Sequence, residues 1–567
     1  MKKYIYIAFA ALCALTVVSC DKFLDYSPQG IIAQDNFFLS DDQAEGAVEN
    51  CYYGLFERDG MFSREIYWEQ GCANDMVWGK TRGFPTLATL SYTGNESVIL
   101  DTWNRIYNRY GIPKANWVVN SLLTKQAKEG LTPVETRVLG EGYFLRAQYH
   151  LLAAYRYGTK ELGVPFVAYE DVEGGYNYTI PPQLPSVTDN YAYIVSDLKK
   201  AEEILPRVEE YSTADLGRAC KQSAAALMAK AYAYWAMWDS SQWSNVIDCV
   251  NRLENQYGRG LVDNFADLFS PDFSKGFYNK EYCWGIPGTG GADGSGNGGV
   301  ELPGVMLEDK GWGLFNGWGQ IHPSYDLYEE MAKDNEDTNG DGVSDYQDTK
   351  NERLAKTILE YNDEFTYFGE KMRYYSPVNI EVGFQCNKYM EAFEPANCVG
   401  TTVLDNGNWP VTQVMWPIVR FADCLLLRAE ANLALGNAAA AATDINKIRV
   451  RSHLKPLDGP ATWTDLYHER RCELAFEFAA DHAFDCKRWA ISGASEIKAL
   501  ALNELNSHPR VRHYEDRMNP ESPYTVGPYE DYQSPVKVWR DQCLTFPYPT
   551  DEITKANGAL QNPPSWR

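Results

Sequence analysis

Three widely separated stretches are apolar at most positions and resemble one another: FLRAQYHLLAAYRYG (144–158), LMAKAYAYWAMWD (227–239) and LLLRAEANLALGN (425–437). They predict helices packed against other helices. Each stretch sets small alanines among Leu, Tyr or Trp and has one basic residue near its start: Arg146, Lys230 and Arg428. Small side chains on one face let a second helix approach closely, as in tetratricopeptide-like pairs. Gly158, and Gly436 with Asn437, supply C-terminal stops. The third stretch continues into AAAAATDINKIRVRSHL, which predicts a helix returning against it. The three are unevenly spaced, so a regular solenoid is not expected.

Helical texture also marks AEGAVENCYYGLFE after Asp41 and Asp42, VILDTWNRIYNRYG and PKANWVVNSLLTK. Two acidic residues at the first turn suit the positive end of a helix. Residues 62–94 show no clear period. The middle, roughly 255 to 320, is rich in Gly, Pro and Trp and reads as loops, while strand-like runs such as TQVMWPIVRF are few and short. The pattern predicts a mainly α fold: a tetratricopeptide-like helical scaffold with long loop excursions.

At the start, Lys2 and Lys3 precede an uncharged run from Tyr4 to Ser19 that stops at Cys20. The run is shorter than the roughly 20 residues a bilayer-spanning helix needs. It reads as a signal peptide over 1–19. Val17-Val18-Ser19-Cys20 resembles a bacterial lipobox, in which Cys20 becomes residue one and carries acyl chains such as palmitate. The expectation is a lipid anchor at Cys20 and an extended tether over 20–40.

Lys and Arg number 52 against 77 Asp and Glu, a net charge of -25. So acidic a surface excludes a nucleic-acid partner, whose binding rests on neutralising phosphates. The 13 cysteines include no CxxC pair, which sets aside zinc ribbons and thioredoxin-like motifs. Cys220, Cys249, Cys424 and Cys472 sit in helical patterns and read as small buried hydrophobes. Aromatic residues make up 14% of the chain; those in glycine-rich loops are candidates for stacking on sugar faces.

The sharpest local motif is DTNGDGVSDYQD, residues 337–348. Against a calcium-loop template, Asp337, Asn339, Asp341 and Gly342 fill the first six places. The Val343 carbonyl takes the seventh, Asp345 the ninth and Asp348 the twelfth, where the template has Glu. Calcium wants six to eight oxygens, and this spacing wraps them about one point. Flanking helical texture gives the right context, so structural calcium is expected here.

Catalytic signatures are weak. GSGNGG (294–299) lacks a strand–helix frame, and Ser295 lacks the outer glycines of a nucleophile elbow. His482 reads as a helix-surface or packing residue. The segment ERRCELAFEFAADHAFDCKRW (469–489) mixes acidic and basic residues on an apolar helix, a solvated or ion-paired face.

That same segment resembles the signature of the SusD/RagB outer-membrane lipoproteins of the Bacteroidetes. The agreement extends to RAEANLALGN with NKIRVRSHL, to FLRAQYHLLAAYRYG followed by GVPFV, and to the closing FPYPTDEITKANGALQNPP. The resemblance covers essentially the whole chain after Cys20 and divides it into an N-terminal helical region, 41–270, and a C-terminal region, 271–567, packed as one unit. It implies a non-enzymatic protein, lipid-anchored in the outer membrane at the cell surface. Such a protein captures oligosaccharides and serves as a lid on a SusC-like TonB-dependent transporter, into which the ligand passes. Peptides or glycoprotein fragments are the alternative ligand in the same role; a surface glycoside hydrolase is a further one. By region, the ligand contacts it implies fall in CANDMVWGKTRG and in the tryptophans of EYCWGIPG and DKGWGLFNGWGQIHP. The residues expected are Trp78 with Asn74, Asp75 and Arg82, then Trp312 and Trp318, then Trp284. The signature itself is expected to be scaffold.

Overall fold

The computed structural model describes residues 38–56, 62, 69–78, 85–168, 170, 181–270, 272–276, 278–286, 321–367, 370–374, 382–389, 415–477, 482–516, 519, 521–529 and 537–567. Cys20, Arg82, Trp312, Trp318 and the GSGNGG run lie outside these residues.

Helices dominate, and they pack in pairs. α1 (Asp41–Phe56) and α2 (Ile112–Glu129) both lie against α3 (Pro133–Tyr157), and α3 lies against α4 (Val187–Ile204). α5 (Lys221–Ala236) packs on α4 and on α6 (Trp243–Asn255). After the two short helices α7 (Tyr325–Ala332) and α8 (Glu352–Thr357) come α9 (Phe421–Ala434) and α10 (Ala438–Arg451), again a pair. α11 (Trp463–Glu473), α12 (His482–Ala490) and α13 (Ser495–Leu505) complete the labelled set.

The three alanine-bearing stretches fall on α3, α5 and α9, helices as expected. α3 starts where Thr132 and Glu135 cap each other: the Thr132 hydroxyl accepts from Glu135 N at 3.1 Å, and the Glu135 carboxylate accepts from Thr132 N at 3.0 Å. Every residue from Val138 to Tyr157 is buried, so the helix is enclosed on all sides. The alanines make this enclosure sterically feasible. α9 stops at Gly436, whose φ of +80° lies in the left-handed region that glycine adopts without strain.

The recurring basic residue has a structural meaning. Arg146 of α3 clamps Asp197 of α4 through two hydrogen bonds of 2.7 Å. Arg428 of α9 clamps Asp444 of α10 in the same manner, at 2.8 and 2.7 Å. Both arginines are buried, and the paired geometry matches a planar guanidinium to a carboxylate. Each clamp fixes one helix to its partner. Lys230, at the matching place in α5, instead lies 5.8 Å from the centre of the Tyr234 ring.

Strands form five two-stranded antiparallel sheets among the described residues. Three of them join distant segments. β1 (Met76–Trp78) pairs with β3 (Ile321–Pro323), β2 (Tyr282–Ile286) with β6 (Trp416–Arg420), and β4 (Ile358–Glu360) with β5 (Phe384–Cys386). β6 is the strand-like run noted in the sequence. Its partner β2 lies within the stretch read as loops, which corrects that reading. YCWGI is too short to declare a period, and its partner is far away in sequence. Gly285 lets the two backbones meet there, since a Cβ would sit 2.8 Å from the Trp416 carbonyl oxygen.

One cluster of buried side chains runs from Phe38 to Leu560. The ten described cysteines are buried and unpaired, Cys220, Cys249, Cys424 and Cys472 among them as read, although Cys220 stands just before α5 and not in it. No described helix is long and apolar enough to cross a membrane.

Candidate functional site

The β1–β3 ladder joins the two regions singled out for ligand contacts. Met76 pairs with Pro323, Val77 with His322 and Trp78 with Ile321. The chain therefore leaves the ladder at Trp78 and returns to it at Ile321, at the same end. Residues 79–84 continue from one strand, and 287–320, with Trp312 and Trp318, lead into the other. The ladder thus sets the Trp78 backbone beside Ile321, the first described residue after the tryptophan-bearing segment.

At its other end the ladder is tied into the protein. Ser324 N donates to the Asp75 carbonyl at 2.9 Å, and His322 Nδ1 lies 3.0 Å from the Phe384 carbonyl. Asn74 and Asp75 are buried, each 5% exposed. Arg471 of α11 donates to both: Nε to Asp75 Oδ1 at 2.6 Å and Nη2 to Asn74 Oδ1 at 2.9 Å. Asn74 also donates from its backbone to Glu504 at 3.0 Å and from its side chain to Ser507 at 3.0 Å. This corrects the expectation for these two residues. Their polar atoms are spent inside the protein, because an unpaired amide or carboxylate there would carry a large desolvation cost. They hold up the strand that ends at Trp78.

Trp284 is likewise corrected. It is fully buried in β2, its indole N–H donates to the Gly217 carbonyl at 3.0 Å, and Phe144 meets it edge-on at 4.7 Å between ring centres. Neither face is open to a sugar.

Around this root the signature helices form a buried ionic network. Arg470 bonds Asp423 and Asp485; Arg488 bonds Asp485 and Glu430; Arg420 bonds Glu473, Glu477 and Glu281. Arg353 and Arg449 both reach Glu469 and Asp334. The face read as solvated or ion-paired is ion-paired, but it lies inside the protein. Burial opposes ionisation of Glu473, and Arg451, Arg420 and Arg353 outweigh it, holding its carboxyl well below the usual range. Burial pushes Lys537, whose ammonium donates to the carbonyls of Ala73 and Glu504, down to about 8. Arg471, Glu504 and Ser507 escaped the sequence reading as parts of this site. Only Arg471 carried a signal, its place in the signature.

The acidic loop spans the gap between α7 and α8. Asp337 accepts from Gly340 N at 2.7 Å and Gly342 N at 2.9 Å. Asn339, Asp341 and Asp345 each accept from the amide two residues on. Asp348 accepts from Thr338 N, Asn339 N and Asp345 N at 2.8, 3.2 and 3.0 Å. Gly342, with φ of +87°, makes the turn. The donors are all oxygen, as a hard cation requires, and the amide bonds already curl the loop about itself.

Family models and relatives agree with this architecture. A model described as SusD family matches residues 289–566, and one described as starch-binding associating with outer membrane matches residues 22–233. A SusD-like protein P25 from Formosa agariphila is 24% identical over 542 residues, covering 86% of this chain and 89% of its own. A SusD-like protein from Bacteroides ovatus is 24% identical over 500 residues, covering 84% and 81%. Among solved structures, a SusD-like protein from Bacteroides fragilis superposes with a TM-score of 0.70 at 19% identity, over 94% of this chain and 98% of that one. The surface glycan-binding protein A from Bacteroides thetaiotaomicron, solved with laminarihexaose, gives 0.63 at 17% identity over 92% and 99%.

Proposed function

The chain belongs to the SusD/RagB family, and from that premise we propose that it captures oligosaccharides at the outer-membrane surface and passes them to a SusC-like TonB-dependent transporter without cleaving them. The observation that carries the reading is the β1–β3 ladder. It pairs the backbone of Trp78 with that of Ile321, which follows the segment bearing Trp312 and Trp318 in sequence, and this supports a ligand face that draws on both segments. Flat rings give a sugar its apolar platform, and polar groups, for which Arg82 is the candidate, select its hydroxyl pattern. Two relatives of the same fold support the ligand class: one was solved with laminarihexaose and another with a xylogluco-oligosaccharide. The outer-membrane association in one matching family description supports the location.

Cys20 is the anchor in this reading. A Cys20→Ala chain is expected to stay folded and leave the membrane fraction; its retention there would remove the anchor. In the loop at 337–348, Asp337, Asn339, Asp341, the Val343 carbonyl, Asp345 and Asp348 hold calcium in a structural role.

Affinity electrophoresis of the protein against plant, fungal and host glycans tests the function. Retardation by at least one glycan, with no new reducing ends, is the expected result. Retardation by none, together with binding of peptides, would overturn the ligand class.

A further inference from the structure

On α12, His482 and Cys486 stand one turn apart on a single face, and Glu504 of α13 faces them. All three are buried, and their ligand-capable atoms lie within 4.8 Å of one another. Among the described residues this is the one group of three potential metal-binding side chains gathered so closely. His482 Nε2 is 2.9 Å from Glu504 Oε2, and Cys486 Sγ is 3.4 Å from each of them. Asp75 Oδ2 approaches the same Nε2 at 3.5 Å.

These are the edge lengths of a metal coordination shell. Zinc bonds of about 2.0–2.3 Å in a tetrahedron set neighbouring N, O and S donors roughly 3.3–3.7 Å apart. Three of the four measured separations already lie near that range, and the His482–Glu504 edge needs to open by a few tenths of an ångström. The donor types are those zinc takes: imidazole, thiolate and carboxylate. The Nδ1 atom of His482 has no partner, so Nε2 carries all the ring's polar contacts and is the atom aimed at the cluster.

We propose that His482 Nε2, Cys486 Sγ and Glu504, with Asp75 as fourth donor, form a structural site for a divalent cation of the zinc class. The cation would be taken up as the protein folds, displacing the Nε2 proton of a protonated His482 and the thiol proton of Cys486 into water. One divalent ion replaces two protons, so the cluster keeps its net charge. The neighbouring cations Arg471 and Lys537 therefore face the same total field with or without the ion. Without metal, burial pushes the Cys486 thiol up to about 12, while Asp75 and Glu504 help hold His482 in its charged form. The site would cross-link α12 and α13 to Asp75, the residue just before β1. It stands apart from the all-oxygen loop at 337–348, and its donors suit a softer ion.

The full purified chain is loaded with zinc, dialysed and analysed by elemental analysis and X-ray absorption, with a parallel sample loaded with cobalt(II). About one zinc per chain is expected to resist dialysis, with one sulfur among nitrogen and oxygen neighbours. Cobalt is expected to give a tetrahedral visible spectrum and a thiolate charge-transfer band. Cys486→Ser, with its fold checked by circular dichroism, is expected to lose that band. A folded wild-type chain that retains no zinc, or a zinc shell without sulfur, would overturn the proposal with no variant needed. A thiolate band that survives in folded Cys486→Ser would overturn it too.

Discussion

Arg471 and Asp75, 396 positions apart in the chain, form a buried ion pair with Nε 2.6 Å from Oδ1. Through this pair the signature helix α11 holds the root of the strand that ends at Trp78. A scaffold motif thereby fixes a strand far from it in sequence.

Arg471→Ala takes from buried Asp75 its hydrogen-bonded guanidinium, leaving only His482 at 3.5 Å, and takes from Asn74 Oδ1 its donor. Breaking a buried pair from one side costs about 3–5 kcal/mol. Chemical denaturation is expected to show a loss of that order, and glycan affinity is expected to fall with it. Unchanged stability would contradict the role given to the pair.

The two arginine clamps between helices are expected to behave alike. Arg146→Ala removes the clamp on buried Asp197, Arg428→Ala leaves buried Asp444 only Lys447 at 3.7 Å, and each is expected to lower stability by about 3–5 kcal/mol. Arg373→Ala serves as the control. Arg373 pairs with Glu364 at 2.6 Å where both side chains are 60% exposed, and such pairs contribute at most about 1 kcal/mol.

Acid is expected to weaken the protein through groups such as Glu330. Burial opposes ionisation of Glu330, and its contacts with His468, Arg471 and Lys333 outweigh it, holding its pKa at about 2 against an ordinary 4.5. A depressed carboxyl contributes stability that is complete above 4.5 and lost as pH falls toward 2. His468, bonded to Glu330 and Asp334 at 2.7 and 2.9 Å, has its pKa raised well above 6.5 despite burial. Its contribution has the opposite sign: present below pH 6.5 and lost as pH rises through its raised value. Glu330→Gln is expected to flatten the fall of melting temperature between pH 4.5 and 2. An unaltered slope would contradict this.

Calcium removal by a chelator is expected to lower the melting temperature of the wild-type chain. Asp341→Ala, in which an exposed carboxylate of the loop is lost, is expected to abolish that response. A chelator shift of equal size in the variant would place the ion elsewhere.

Helices were legible in the sequence where alanines sit among large apolar residues, as in α3, α5 and α9, and the stops of α3 and α9 followed from Gly158 and Gly436. The clamps at Arg146 and Arg428 showed as a recurrence but not as pairs, because Asp197 and Asp444 lie on other helices. Apart from β6, the strands of three to five residues carry too little period to be read, and β1 and β3 become strands only through each other. Asn74, Asp75 and Trp284 were expected to contact ligand yet face inward. A polar or aromatic residue next to a loop gives no sign of which way it points until a distant partner, Arg471 or Phe144, fixes it.

Calorimetric titration of the best-retarded glycan into wild-type and Trp78→Ala protein tests the central claim most directly. The account predicts that the wild type binds and that Trp78→Ala, still folded by circular dichroism, loses roughly 1–3 kcal/mol of binding energy, the scale of burying an aromatic contact. Equal affinity for both proteins would contradict a ligand face built where Trp78 meets the strand of Ile321.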